Sequence, residues 1–319
     1  MRRPSSTSCS GSPVCSISST SRADPPDRLV LRARAKINLG LEVVRRREDG
    51  YHEIRSLMQS VGLEDRLTLV RAADRRIRLR CPDSDLPVDD RNLVVRAAAL
   101  LRRRTGARAG ARIRLEKRIP VGGGLGGGSS DAAATLVGLN RLWRTGLRPG
   151  ELEALGAELG ADVPFHIRGG SQLAEGIGER LTPLPALPLL PVLLVHPNLF
   201  VSTGSIYASP RIQLTGFGPL TRLRHCNLAT RSGAVSCVAR LKNDLEPATC
   251  ASHPRIDRLR RQIGRAGPGV VRVSGSGSCL FVLSESPEGL RNVLGRLELA
   301  DCQVYWAWFR RKGWISVGS

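Results

Sequence analysis

Six glycines in the seven positions from Gly122 to Gly128 run straight into Ser129, Ser130, Asp131 and the helix-favouring stretch AAATLVGLNRLW. Glycine has no Cβ, so such a turn adopts left-handed backbone angles and lets a ligand lie directly against the main chain. Successive N–H groups can converge on phosphate oxygens, and the positive end of the following helix adds to the attraction. Ser129, Ser130 and Asp131 read as the helix cap. No lysine follows the last glycine, which disfavours a Walker-type loop, and no strand with a ribose-binding acid follows at dinucleotide-binding spacing. A flexible linker is the plain alternative; the capping residues and the immediate helix argue against it.

The segments around this turn are mixed α and β. The stretch LVLRARAKINLGLEVV from Leu29 alternates as a half-buried strand does, and Leu67 to Val70, Ile77 to Arg80 and Arg112 to Glu116 are further strands. Leu93, Val94, Ala97, Leu100 and Leu101 fall at helical spacing within Asn92 to Arg104, and a second helix over Glu151 to Leu159 follows Pro149. Prolines at 183, 185, 188 and 191 mark a domain join. Beyond it come a buried strand (Val192 to His196), a basic helix (Pro254 to Gly264), strands flanking SGSGS (Val270 to Val273 and Cys279 to Leu283), a helix (Ser286 to Leu297) and a closing strand (Gln303 to Phe309).

Length alone favours two cores over one, since the chain has 319 residues. The excess of 49 Lys and Arg over 28 Asp and Glu invites a nucleic-acid reading. However, the arginines are scattered along the whole chain and aromatics are 4%, so stacking platforms are scarce. A basic surface that also attracts an anionic small substrate is the plainer expectation. Eight cysteines without a CxxC pair or zinc-finger spacing read as free thiols. No run suggests a membrane span. Residues 1–28 read as a Ser-, Arg- and Pro-rich disordered tail, with a plastid transit peptide an open alternative to a cytoplasmic location.

Pro120, Gly124 to Gly128, Ser129, Ser130, Asp131, Ala132 and Ala133 together resemble the ATP-binding motif of the GHMP kinases, named for galactokinase, homoserine kinase, mevalonate kinase and phosphomevalonate kinase. Ala35-Lys36-Ile37-Asn38-Leu39 is similar to that family's N-terminal motif, and Ser274 to Phe281 to its C-terminal glycine motif, in the family's order. Four more strings, Asp49 to Glu53, Gly160 to Phe165, Ala174 to Glu179 and Asn243 to Glu246, resemble the branch that acts on a cytidylated methylerythritol.

The resemblance implies an α+β, two-domain GHMP kinase fold. A ribosomal-protein-S5-domain-2-like domain would occupy 29–185, and a ferredoxin-like α/β sandwich 186–319. It also implies ATP as phosphoryl donor with Mg2+ accompanying the nucleotide, and no separate protein metal site. By the same resemblance Asp162 is the base and Lys36 its cationic partner. Pro120, Gly122, Gly123, Gly124, Leu125, Gly126, Gly127, Gly128, Ser129 and Ser130 hold ATP, with a serine hydroxyl near the metal. Asn38, Tyr51, His52, Asp162, Tyr207, Gly275, Ser276 and Gly277 face the acceptor, and Phe200 competes with Tyr207 as the stacking aromatic. An Asp in this turn can instead bond its own backbone, and the Gly275 to Gly277 turn can simply support the first loop. His166 is expected to be structural. The partners expected are small molecules, with neither nucleic acid nor membrane, in a monomer or homodimer. Homoserine or mevalonate as acceptor, or a basic nucleic-acid-binding protein, are the rival readings.

Overall fold

The computed structural model describes residues 27–212, 214–216, 218–299 and 301–317; the sequence-read tail lies almost wholly outside them. Two sheets organise the chain. The first contains β1 (Arg28–Arg46), β2 (His52–Ala72), β3 (Ile77–Arg80), β4 (Gly110–Glu116), β5 (Ser171–Gly176) and β6 (Arg180–Pro183). The second contains β7 (Pro191–His196), β8 (Val270–Val273), β9 (Leu280–Leu283) and β10 (Gln303–Trp308) in the order β10-β7-β9-β8. A last strand, β11 (Trp314–Ser316), returns to pair antiparallel with β1 in the first sheet, although the sequence division groups it with the second half. The Trp314 indole N–H donates to the Ile167 carbonyl at 3.0 Å, which anchors this return.

β2 is far longer than the segment 67–70 legible in the sequence. Its second half pairs with β4 and its first half with β5, and most of that first half is covered on both faces, which erases the alternation that marks a strand. Three register shifts along β1 and β2, at 34/36, 38/40 and 43/45, bend the pair so that one strand serves both regions.

Helices α1 (Leu93–Thr105), α2 (Gly127–Leu142) and α4 (Val163–Arg168) cover the first sheet, and α3 (Pro149–Leu159) packs on those helices. Leu31, Leu67, Leu69 and Leu115 pack there against Ala97, Leu101, Ala133 and Leu136. Each such leucine removed from water contributes roughly 1.5–3 kcal/mol. A Cβ on Gly138 would come within 2.2 Å of Leu69, so α2 needs glycine there to lie close to the sheet.

The second half adds α5 (Thr203–Tyr207), a 3-10 turn (Pro219–His225), α6 (Arg231–Arg240), α7 (Glu246–Ser252), α8 (Pro254–Ala266) and α9 (Pro287–Leu294). Leu193, Val195 and Val282 face Ile256, Leu259, Ile263 and Leu290, while Val192, Leu194 and Phe281 face the interior shared with Ile37, Leu39 and Leu57 of the first sheet. With both faces covered, β7 is buried at every position. Among the described residues no helix is long and apolar enough to cross a membrane.

Candidate active site

Gly122, Gly124 and Gly126 all carry positive φ, of 71°, 73° and 69°. Helix α2 begins earlier than the sequence suggests. Gly126 occupies the N-cap with no side-chain cap, so Ser129, Ser130 and Asp131 lie inside the helix and do not cap it. The reason is the left-handed entry that glycine allows. The turn is also held from below: its carbonyls at Gly123, Gly124 and Leu125 accept from Cys279 N, Ser274 Oγ and Lys36 N at 3.1, 3.0 and 2.9 Å, while the Gly126 carbonyl accepts from Ser130 N at 2.9 Å as the first bond of the helix. A Cβ on Gly124 would stand 2.2 Å from the Ser274 carbonyl, so the two glycine turns lie back to back.

Lys36 and Asn38 are two residues apart on β1 and share a face. The Lys36 ammonium donates to Asn38 Oδ1 at 2.6 Å, the Asn38 amide donates to Ser56 Oγ at 2.7 Å, and Ser56 Oγ donates to the Gly40 carbonyl at 2.9 Å. The same ammonium lies 3.3 Å from Asp162 Oδ2. Asp162 occupies the N-cap of α4 but makes no side-chain cap bond, and Pro164 fits the first turn because no N–H is required there. The carboxylate is therefore spared for Lys36. Burial works to raise its pKa, but the Lys36 ammonium, through charge and hydrogen bond, together with His166 holds the acid below the ordinary aspartate value. Lys36 is almost fully enclosed, whereas 31% of the Asp162 side chain is exposed, so the acid is the partner that reaches the opening.

Both side chains line a cleft of about 530 Å³. One end is walled by Leu86, Pro87, Asn92, Leu93 and Lys117, the glycine turn crosses the middle, and Ile54, Tyr207 and Leu245 form the other end. At that end the His52 and Tyr207 rings meet with centroids 5.3 Å apart and planes inclined by 32°. Burial lowers the His52 pKa, with Arg46 adding to it, so the ring is neutral at physiological pH. Beneath the turn, Lys117 bridges Asp65 and Asp131 at 2.5 and 2.8 Å, all three side chains being buried. Burial, only partly offset by Lys117, drives the Asp131 carboxyl well above its usual pKa. Among the described residues no group of three or more His, Cys, Asp or Glu side chains is placed to hold a metal.

Residues 92–170 match the family model of the GHMP kinases N terminal domain, and 225–300 that of the GHMP kinases C terminal. A 4-diphosphocytidyl-2-C-methyl-D-erythritol kinase of Pelotomaculum thermopropionicum is 44% identical over 274 residues, covering 85% of this chain and 94% of that one. This chain belongs to the same family of GHMP kinases. A relative of the same name from Shouchella clausii is 41% identical over 281 residues, covering 86% and 92%. A crystal structure of 4-(cytidine 5'-diphospho)-2C-methyl-D-erythritol kinase superposes with a TM-score of 0.72 at 36% identity, covering 88% and 98%. The homoserine kinase of Cytophaga hutchinsonii reaches 0.73 at 22% identity, covering 92% and 98%, a likeness of fold.

In this GHMP kinase most residues singled out from sequence meet in the one cleft. Lys36, Asn38, Asp162, Pro120, Gly122 to Ser129, Tyr207, Gly275 and Ser276 all line it. Ser130 is turned away: its hydroxyl donates to the Arg34 carbonyl at 2.7 Å and the residue is buried, so of the two serines it is Ser129 that faces the cleft. Gly277 packs against Val273 and Thr249 behind the turn. Tyr51 is 61% exposed, outside the cleft wall. Phe200 leans on Gly122, where a Cβ would meet its ring at 2.3 Å, and it is Tyr207 that meets His52. His166, read as structural, is fully buried under Gly126. The Leu86 to Leu93 wall and Lys117 escaped sequence reasoning; the available signal was Asn92, which caps α1 by accepting from Val94 N at 2.9 Å.

Proposed function

We propose that the chain transfers the γ-phosphoryl group of ATP to the 2-hydroxyl of 4-diphosphocytidyl-2-C-methyl-D-erythritol, giving the 2-phosphate and ADP, in the non-mevalonate route to isoprenoids. One observation carries the reading: the Lys36–Asp162 pair, 3.3 Å apart, lies in the same cleft as a glycine turn opening a helix and as Tyr207, whose ring meets that of His52. In this reading the turn amides and the N-terminus of α2 take the phosphates, and the Leu86 to Leu93 wall receives the adenine. His52 and Tyr207 grip the cytosine by stacking and hydrogen bonding, with Tyr51 closing from outside. Asn38, oriented by Ser56 and Lys36, positions the reacting hydroxyl.

As the acceptor oxygen bonds to the γ-phosphorus, the bond to the β–γ bridging oxygen breaks and ADP leaves. Asp162 takes the hydroxyl proton, and Lys36 stabilises charge on the phosphoryl oxygens. Mg2+ bound with the nucleotide would supply further charge neutralisation; Ser129, whose residue faces the cleft, fits as its protein contact. The test is ADP release by the purified protein with and without the cytidylated acceptor. Turnover with homoserine or mevalonate in its place would overturn the acceptor assignment. RNA affinity with a steep salt slope and no phosphoryl transfer would overturn the kinase reading altogether.

A further inference from the structure

His166 lies on α4 one turn after Asp162 and is fully buried. Neither ring nitrogen makes a well-formed hydrogen bond. From β1, the Arg34 carbonyl is the backbone group that bears on the ring. The contacts of the ring are more telling. Its Nε2 stands 2.5 Å from where a Cβ on Gly126 would be, and Lys36 Cγ and Cε stand 3.1 and 3.2 Å from that same point. Its other flank meets the Phe165 ring edge-on, with centroids 5.2 Å apart and planes at 84°. Three elements therefore meet around Gly126: the helix that carries Asp162, through the imidazole, the strand that carries Lys36, through its side chain, and the first turn of the nucleotide helix.

The ring is uncharged at physiological pH. Burial pushes its pKa down to about 4, Asp162 pulls the other way, and Lys36 adds to the fall. A neutral ring can share the space beside Gly126 with the Lys36 chain without repelling its ammonium. A buried polar group normally has a partner; this ring has only the Arg34 carbonyl bearing on it, without a well-formed bond, and its close contacts are with Gly126 and the Phe165 ring, so it acts chiefly by shape.

We infer that His166 is a positioning residue that works through its flat ring, wedging Gly126 and the Lys36 chain against the helix bearing Asp162 so that nucleotide turn, cation and base keep one spacing. This rests on the phosphoryl transfer proposed above and adds the part that ties the ATP-binding turn to the base.

His166→Phe and His166→Asn separate shape from polarity. Phenylalanine keeps a flat ring and discards both nitrogens; asparagine keeps a polar amide and discards the ring. Each variant is checked for folding by circular dichroism, then compared with the wild type in binding of a non-hydrolysable ATP analogue without acceptor, and in kcat and KM for both substrates. Because a small misplacement of reacting groups costs up to about 100-fold, the Asn variant is expected to lose about 10- to 100-fold in kcat and several-fold in nucleotide affinity, with acceptor KM within about twofold. The Phe variant is expected to stay within about threefold of wild type in every parameter. A folded Phe variant that falls as far as the Asn variant overturns the inference, since the nitrogens would then matter. So does an Asn variant that matches wild type. Should the Asn variant fail to fold, the Phe variant decides: retention supports the wedge and loss overturns it. The analogue-binding readout is independent of the acceptor, so a wild type that binds ATP and ignores the cytidylated acceptor refutes the functional reading without removing this test.

Discussion

The Asp162 carboxylate, at the head of α4, stands 3.3 Å from the Lys36 ammonium in the middle of β1, and Lys36 is tied in turn to Asn38 at 2.6 Å. Two partners from distant parts of the chain thus fix one cation, and the acid is left with its opening toward the cleft.

Asp162→Asn keeps the shape and removes the base. General-base contributions are about 100- to 10,000-fold, so kcat is expected to fall within that range while ATP-analogue affinity changes little. Steady-state kinetics with a parallel binding titration checks this; a fully active Asn variant would exclude Asp162 as the proton acceptor.

Lys36→Met keeps much of the stem and removes the charge. The Asp162 carboxyl then loses the chief cause that holds its pKa down, and burial, the opposing cause, raises it. The acid limb of kcat is expected to move to higher pH in this variant, together with a loss of about 100-fold or more at neutral pH. A pH–rate profile with an unmoved acid limb would separate Lys36 from Asp162.

Gly126→Val brings a Cβ to within 2.5 Å of His166 Nε2 at a φ of 69°, where a β-branched residue is strained. Nucleotide binding is expected to be lost. Equilibrium titration with the ATP analogue on protein shown to be folded gives the answer, and unchanged affinity would move the phosphate site elsewhere.

Tyr207→Ala removes the ring that faces His52. Stacking on a base is worth about 1–3 kcal/mol, so acceptor KM is expected to rise roughly 5- to 150-fold with ATP KM unchanged. Equal changes in both constants would argue against a cytosine site here.

Burial of His166 ties stability to pH. Its folded pKa of about 4 lies below the free value of 6.5, so through that window the unfolded chain binds a proton that the folded chain does not. Stability is complete above the free value and declines as pH falls toward the folded one, by about 2 kcal/mol between pH 7 and pH 5. Urea unfolding at the two pH values should show that loss in the wild type, and a smaller one in His166→Phe.

The glycine turn and its helix, α1, β7 and the strands around SGSGS were legible because their signals are local: backbone permissiveness, helical spacing and short apolar runs. Leucine spacing found α1 to within a residue at each end. Most of β2 was hidden because partners on both faces make Leu57, Met58, Gln59 and Ser60 all buried, leaving no alternation to read. The pairing of β11 with β1 was hidden because three residues carry no periodicity.

For the site, the glycine turn was legible from residue types, and the resemblance to the GHMP kinases singled out Lys36, Asp162 and, with Phe200 as its rival, Tyr207. Tertiary structure decided which of them face one another. Tyr207 and not Phe200 meets His52, Ser129 and not Ser130 faces the cleft, Asp131 pairs with Lys117, and His166 lies under Gly126. Those outcomes depend on how two sheets and their covering helices pack, and a side chain's neighbours in a packed interior are set by the whole volume around it, which no stretch of adjacent residues encodes.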